Sequence, residues 1–153
     1  MTRFRLVQGT KRRQDGTTCC KERTSRSSSY DGAFPERIDG RVVACLYCGN
    51  GYYLENKEEV TRKLVAMVNK LQPDVVMCGP AFNYADYAGM AAHIATEINA
   101  NTSVPAFAAM SVENEATINE YKDKVMIVKT PKKGGTGLNE AFEKHVYTCK
   151  STA

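Results

Sequence analysis

From residue 41 onward, two hydrophobic periods alternate along the chain. "RVVACLYC" (41–48) and "PDVVMCG" (73–79) are continuous apolar runs of strand length, the pattern of strands buried on both faces. Between them, "NKEEVTRKLVAMVNKL" places Val60, Leu64, Met67, Val68 and Leu71 on one helical stripe, with Asn56 positioned to cap and Glu58 and Glu59 in the favourable first turn. Tyr87, Ala91, Ile94, Ala95 and Ile98 repeat that stripe. "VPAFAAM" (104–110) and "DKVMIVKT" (123–130) supply a third and a fourth strand, and a last helix buries Leu138, Ala141, Phe142 and His145. The predicted strands are 41–47, 74–78, 105–109 and 124–129, and the predicted helices lie near 56–71, 84–99 and 136–147. Strands alternating with helices across short connections imply a three-layer α/β/α sandwich with a mostly parallel sheet, of the flavodoxin or Rossmann kind.

Ahead of residue 41 the pattern is poor. "RFRLVQ" allows a first strand at 3–8, but "GTKRRQDGTTCCKERTSRSSSYDG" is polar and nearly without aliphatic residues, and reads as loop or disordered chain. Residues 1–40 are therefore expected to form a basic, poorly patterned segment, and 41–150 a single α/β domain. The formal net charge of +4 comes entirely from that segment, which holds nine Lys/Arg against five Asp/Glu, while the rest holds twelve of each. Five interspersed acids make it a solvated tail and not a nucleic-acid arm. No stretch has the ~18 apolar residues of a membrane span, and no apolar run follows Arg3 and Arg5 as in a signal peptide. A cytoplasmic protein is expected, and its six cysteines count as thiols.

In parallel α/β sheets, ligands bind beyond the carboxyl ends of the strands. Four loops would lie there: "CGNGYYLEN" (48–56), "GPAFNYADY" (79–87), "MSVENEA" (110–116) and "TPKKGGTG" (130–137). They concentrate Gly, Asn, Tyr and Glu, which offer tight turns, amides, phenols and carboxylates. A dinucleotide fingerprint needs a third glycine that "CGNGYY" lacks, and "KKGGTG" has its lysines before the glycines and not after, so both are weak matches to a phosphate loop, with "CGNGYY" still able to accept a small anion on backbone N–H groups. The C-x-x-C pair Cys45 and Cys48 lies on a strand, where positions three apart face opposite sides. Cys45 and Cys78 are expected in the core, and Cys48 open to the crevice as the one candidate catalytic thiol. No second Cys/His pair stands nearby at zinc spacing, so no metal is expected. His93, sharing a polar helix face with Asp86 and Glu97, and His145, on an apolar stripe, are both read as structural. The candidate substrate- or partner-binding residues are Gly49, Asn50, Tyr52, Gly79, Pro80, Phe82, Asn83, Tyr87, Glu113 and Asn114.

"CGNGYYLEN", "GPAFNYADYAG", "ENEATINEYKDKVMIVKT" and "GGTGLNEAF", in this order over residues 41–147, resemble the N-terminal region of the substrate-specific B subunit of glycine, sarcosine and betaine reductases (the selenoprotein B family), to which a D-proline reductase subunit is related. The resemblance implies a part in reductive C–N cleavage of a small amino acid. It also implies two partners, a pyruvoyl-containing subunit and a selenoprotein carrier. The family's redox centre lies downstream of the matched region, and the Gly- and Glu-rich motif expected after the first strand is replaced here by "KRRQDGTTCCKERTS". The chain is therefore expected to be a truncated or diverged member, inactive alone and without a cofactor of its own. The alternatives are a non-catalytic interaction module and a flavodoxin-like nucleotide or flavin binder.

Overall fold

The computed structural model describes the backbone of residues 2–10 and 40–130, and side chains from Ala44 on except those of Cys45 and Tyr47. Strands β1 (Thr2–Thr10), β2 (Gly40–Gly49), β3 (Val75–Ala81), β4 (Ala106–Ser111) and β5 (Ile127–Thr130) form one sheet in the order β2-β1-β3-β4-β5. Every pairing is parallel. This is the flavodoxin-type order, and the α/β class expected from the sequence is the one found. The opening strand is longer than the predicted 3–8 and pairs on both sides, so the sheet draws on residues well ahead of position 41.

Parallel neighbours require each connection to cross back over the sheet, and the described crossings, from β2 onward, are helical. α1 (Asn50–Glu55) and α2 (Lys57–Leu71) join β2 to β3, α3 (Ala85–Asn101) joins β3 to β4, and α4 (Glu115–Tyr121) joins β4 to β5. β3 and β4 are buried at every position, which accounts for their unbroken apolar sequences: both faces of the central sheet are covered. The predicted stripes are the ones that pack. Val60, Leu64 and Val68 are buried on α2, and Tyr87, Ala91, Ile94, Ala95 and Ile98 on α3. Met67 and Leu71 are half-buried. The helix predicted near 136–147, the loop at 130–137 beyond Thr130, and the segment between β1 and β2 fall outside the described residues.

Three local features depart from expectation. The loops at 48–56 and 110–116 hold short helices, α1 and the start of α4. Six- and seven-residue helices bury too few positions to show a period in the sequence. Asn56 does not cap α2 with its side chain. Its amide instead donates to the Tyr52 carbonyl at 3.1 Å, closing the end of α1. At the far end of α3, Asn99 acts as a backbone mimic: its Nδ2 donates to the Ala106 carbonyl (2.9 Å) and its Oδ1 accepts from the Ala106 N–H (2.7 Å), fixing where β4 begins.

Candidate functional site

The order of strands reverses between β1 and β3, and the crevice of such a sheet opens at the carboxyl ends near that point. β3 ends in an irregular way. Between Cys78 and Ala81 it carries one residue more than β4 does between Ala108 and Met110, so the strand bulges as it leaves the sheet. The Gly79–Pro80 peptide within the bulge is cis. Gly79 has φ of +117°, and a Cβ there would collide with the carbonyl oxygen of Ala109 on the next strand. Only glycine fits. This explains the "GP" of the turn: it shapes the backbone, and Gly79 and Pro80 are both buried.

The turn that follows is held from the next loop. Asn114, only 6% exposed, donates from Nδ2 to the Phe82 carbonyl at 2.7 Å, with longer approaches to the carbonyls of Ser111 (3.3 Å) and Ala81 (3.4 Å). One amide thus ties the β3–α3 turn to the β4–α4 turn. The Tyr84 N–H closes on the Phe82 carbonyl at 2.7 Å, and the Glu113 N–H reaches the Ser111 hydroxyl at 3.4 Å. With the backbone so committed, the tips point outward: Asn83, Tyr84, Val112 and Glu113 are exposed, and Phe82 is half-buried.

The predicted site residues therefore divide. Asn114 bonds to Phe82 and ties the two loops, and Asn83 and Glu113 are exposed on the tied loops. Tyr87 is 8% exposed and belongs to the core of α3, because its stripe faces the sheet. Cys48 is not open to the crevice. It is 2% exposed, its thiol turned to the Gly49 carbonyl at 3.5 Å, because α1 begins at once and folds over the strand end. Cys78 is wholly buried, as expected, and burial pushes its thiol pKa up to about 12, far from any reactive range. Gly49 serves as the N-terminal boundary of α1, Tyr52 packs against the core, and the Asn50 Oδ1 is buried without a hydrogen-bond partner among the described residues.

The sequence reading passed over Tyr53. Buried at 3% exposure, it places its phenol 2.8 Å from Nδ1 of His93, forty residues on. Burial holds the phenol above its ordinary pKa, and burial together with the Lys57 cation holds His93 below its own, Glu97 pulling the other way. The other ring nitrogen, Nε2, lies 4.0 Å from the Glu97 carboxylate. No spacing rule could have paired these residues, since the contact exists only once α1 and α3 are packed.

Comparison with known proteins agrees with the loop motifs. The glycine/sarcosine/betaine reductase selenoprotein B family matches residues 9–151. A glycine reductase complex component B subunit gamma from Carboxydothermus hydrogenoformans is 32% identical over 117 residues, 76% of this chain and 26% of the relative. A sarcosine reductase complex component B subunit beta from Peptoclostridium acidaminophilum is 32% identical over 92 residues, 60% of this chain and 21% of the relative. A glycine reductase complex component B subunit gamma from Peptoclostridium litorale is 33% identical over 92 residues. The matched region spans about a quarter of these relatives or less. No helix among the described residues is long and apolar enough to cross a membrane. With a family match running from β1 beyond β5, the chain belongs to the glycine/sarcosine/betaine reductase selenoprotein B family.

Proposed function

We propose that this chain is a component of an amino-acid reductase, and that the tied loops at the carboxyl end of its sheet bind a partner subunit of that complex. One observation carries the reading. Of the four large apolar side chains exposed among the described residues, Leu54 (60%), Tyr84 (50%) and Val112 (44%) follow the carboxyl ends of β2, β3 and β4, and only Met126 lies at the opposite end. Apolar tips beside the Asn83 amide and the Glu113 carboxylate make a mixed surface of the kind protein interfaces use. Its backbone is fixed before binding, so little ordering entropy opposes association.

The relatives are named as subunits of glycine and sarcosine reductase complexes, which supports a multi-subunit setting for this chain. Glycine, sarcosine and betaine are the substrate class on this reading, and the pyruvoyl subunit is the proposed partner. A competing groove of about 570 Å³ near Asn99, Thr102 and Lys124 lies where α3 and α4 lead into β4 and β5, at the amino ends of the strands, the wrong end for the family of sheets. The test is direct binding of the purified components of a glycine reductase complex to this chain, by interferometry, with Tyr84→Ala and Val112→Asp as variants. Weaker binding of both variants with unchanged melting supports the proposal. Wild-type binding by both removes it.

A further inference from the structure

One phenol joins three helices. Tyr53 belongs to α1, the six-residue helix that folds over the end of β2, and it is buried at 3% exposure. Its hydroxyl lies 2.8 Å from Nδ1 of His93 on α3, and the Thr61 hydroxyl of α2 acts on the same phenol oxygen, favouring its ionised form. Cys48 and Tyr121 are near enough to act on it as well. A helix this short does not hold itself in place. Tyr53 is the one buried side chain of α1, so the helix stays where this residue fastens it. What lies beneath is Cys48, 2% exposed at the strand end.

The fastening depends on the charge of His93. Lys57, Glu58 and Arg62 of α2 and Glu97 of its own helix line the groove beside the ring, and Tyr53 meets it from α1. Burial opposes a positive ring most, Lys57 opposes it too, and Glu97, 4.0 Å away, favours it. A neutral imidazole keeps one acceptor nitrogen, and the cation keeps none. A protonated ring can hold Tyr53 only by donating to the phenol oxygen, where Thr61 already acts, so the phenol hydrogen has no place on the ring. It also sets a charge in a half-buried position. Release of α1 removes both penalties, because water then solvates ring and phenol.

We propose that the Tyr53–His93 bond is a pH-sensitive latch: with His93 neutral, α1 is shut over Cys48, and protonation of the ring frees α1 and bares the thiol. The device stands whether or not the crevice loops bind a partner. The unfastened ring has the ordinary pKa of about 6.5 and the latched ring a lower one, so opening increases as pH falls through about 6.5. The experiment alkylates the full chain with N-ethylmaleimide at pH 7.5 and 5.5 and reads each cysteine by peptide mass spectrometry. Each rate is divided by that of a short peptide carrying the same cysteine at the same pH, which removes the thiol's own ionisation. Cys78, wholly buried in β3, marks unfolding of the whole chain. Cys48 is expected to label faster than Cys78 at both pH values. Its normalised rate should rise severalfold from pH 7.5 to 5.5, with about tenfold as the ceiling set by the ordinary pKa. His93→Gln should abolish that rise, and Tyr53→Phe should speed labelling at pH 7.5 by about two- to tenfold, so that either variant serves if the other does not fold. Labelling of Cys48 at the pace of Cys78 would overturn the proposal, since only unfolding of the whole chain would then reach it. So would a wild-type rate indifferent to pH, a rise retained in His93→Gln, or a folded Tyr53→Phe chain that labels like the wild type.

Discussion

The end of β3 and the α1–α3 contact solve opposite problems. At the end of β3 the backbone is fixed and the side chains are left outside: Gly79 fits under the Ala109 carbonyl, Asn114 ties two turns together, and Asn83 and Tyr84 project. Where α1 meets α3 the polar groups are inside, with Tyr53 and His93 bonded to each other in partial burial. The first arrangement has its cost in backbone geometry, the second in desolvation. Changes at the first should therefore split sharply into those that unfold and those that affect only binding, while changes at the second should be graded and pH-dependent.

The largest effect is expected from Gly79→Ala. A left-handed φ and a Cβ driven into the Ala109 carbonyl should cost about 3 kcal/mol or more. For a chain of this size that lowers the melting temperature by about 6–12 °C, and calorimetry showing no shift would mean the turn is not locked. Asn114→Ala comes next, at about 1–3 kcal/mol, because it strips a buried donor from the Phe82 carbonyl. Hydrogen exchange at the amide of Tyr84 should quicken in that variant, and unchanged exchange would show that the two loops are not tied through this side chain.

Tyr53→Phe should cost about 0.5–1.5 kcal/mol, since it removes the phenol bond to His93. The sign for pH follows. Folded His93 sits below its unfolded pKa, mainly through burial, so the unfolded chain binds the proton more readily. Its contribution to stability is whole above about pH 6.5 and declines as pH falls through that value toward the folded pKa. Denaturant melts at pH 7.5 and 5.5 would reveal it as lower stability at the lower pH.

The same contrast explains what could be read from the sequence. The unbroken apolar runs of β3 and β4 and the stripes of α2 and α3 appear in the sequence because each is a local period facing a large buried surface. The pairing of Phe82 and Asn83 with Glu113 and Asn114 followed from topology alone, since the ends of β3 and β4 are neighbours in any such sheet. Cys48 misled because a strand end normally opens to solvent, and nothing in "GNGYYLEN" announces a six-residue helix closing over it. Tyr53 and His93 left no signal because their bond depends on how two helices pack, and Asn56 stands at the N-cap of α2 as expected but turns its side chain to α1 because one residue borders both helices.

The smallest expected change in stability belongs to Asn83→Ala, and it bears on the central claim that the tips serve binding and not folding. Asn83 is exposed, so its loss should cost under ~1 kcal/mol of stability. If its amide bonds a charged group of a partner subunit, the affinity should fall by roughly 1.5–3 kcal/mol, about ten- to a hundredfold. Melting and affinity for the purified components of a glycine reductase complex should be measured side by side on wild type and Asn83→Ala. The account predicts near-identical melting with that loss of affinity. A large fall in melting temperature with unchanged affinity would contradict it and make Asn83 part of the fold.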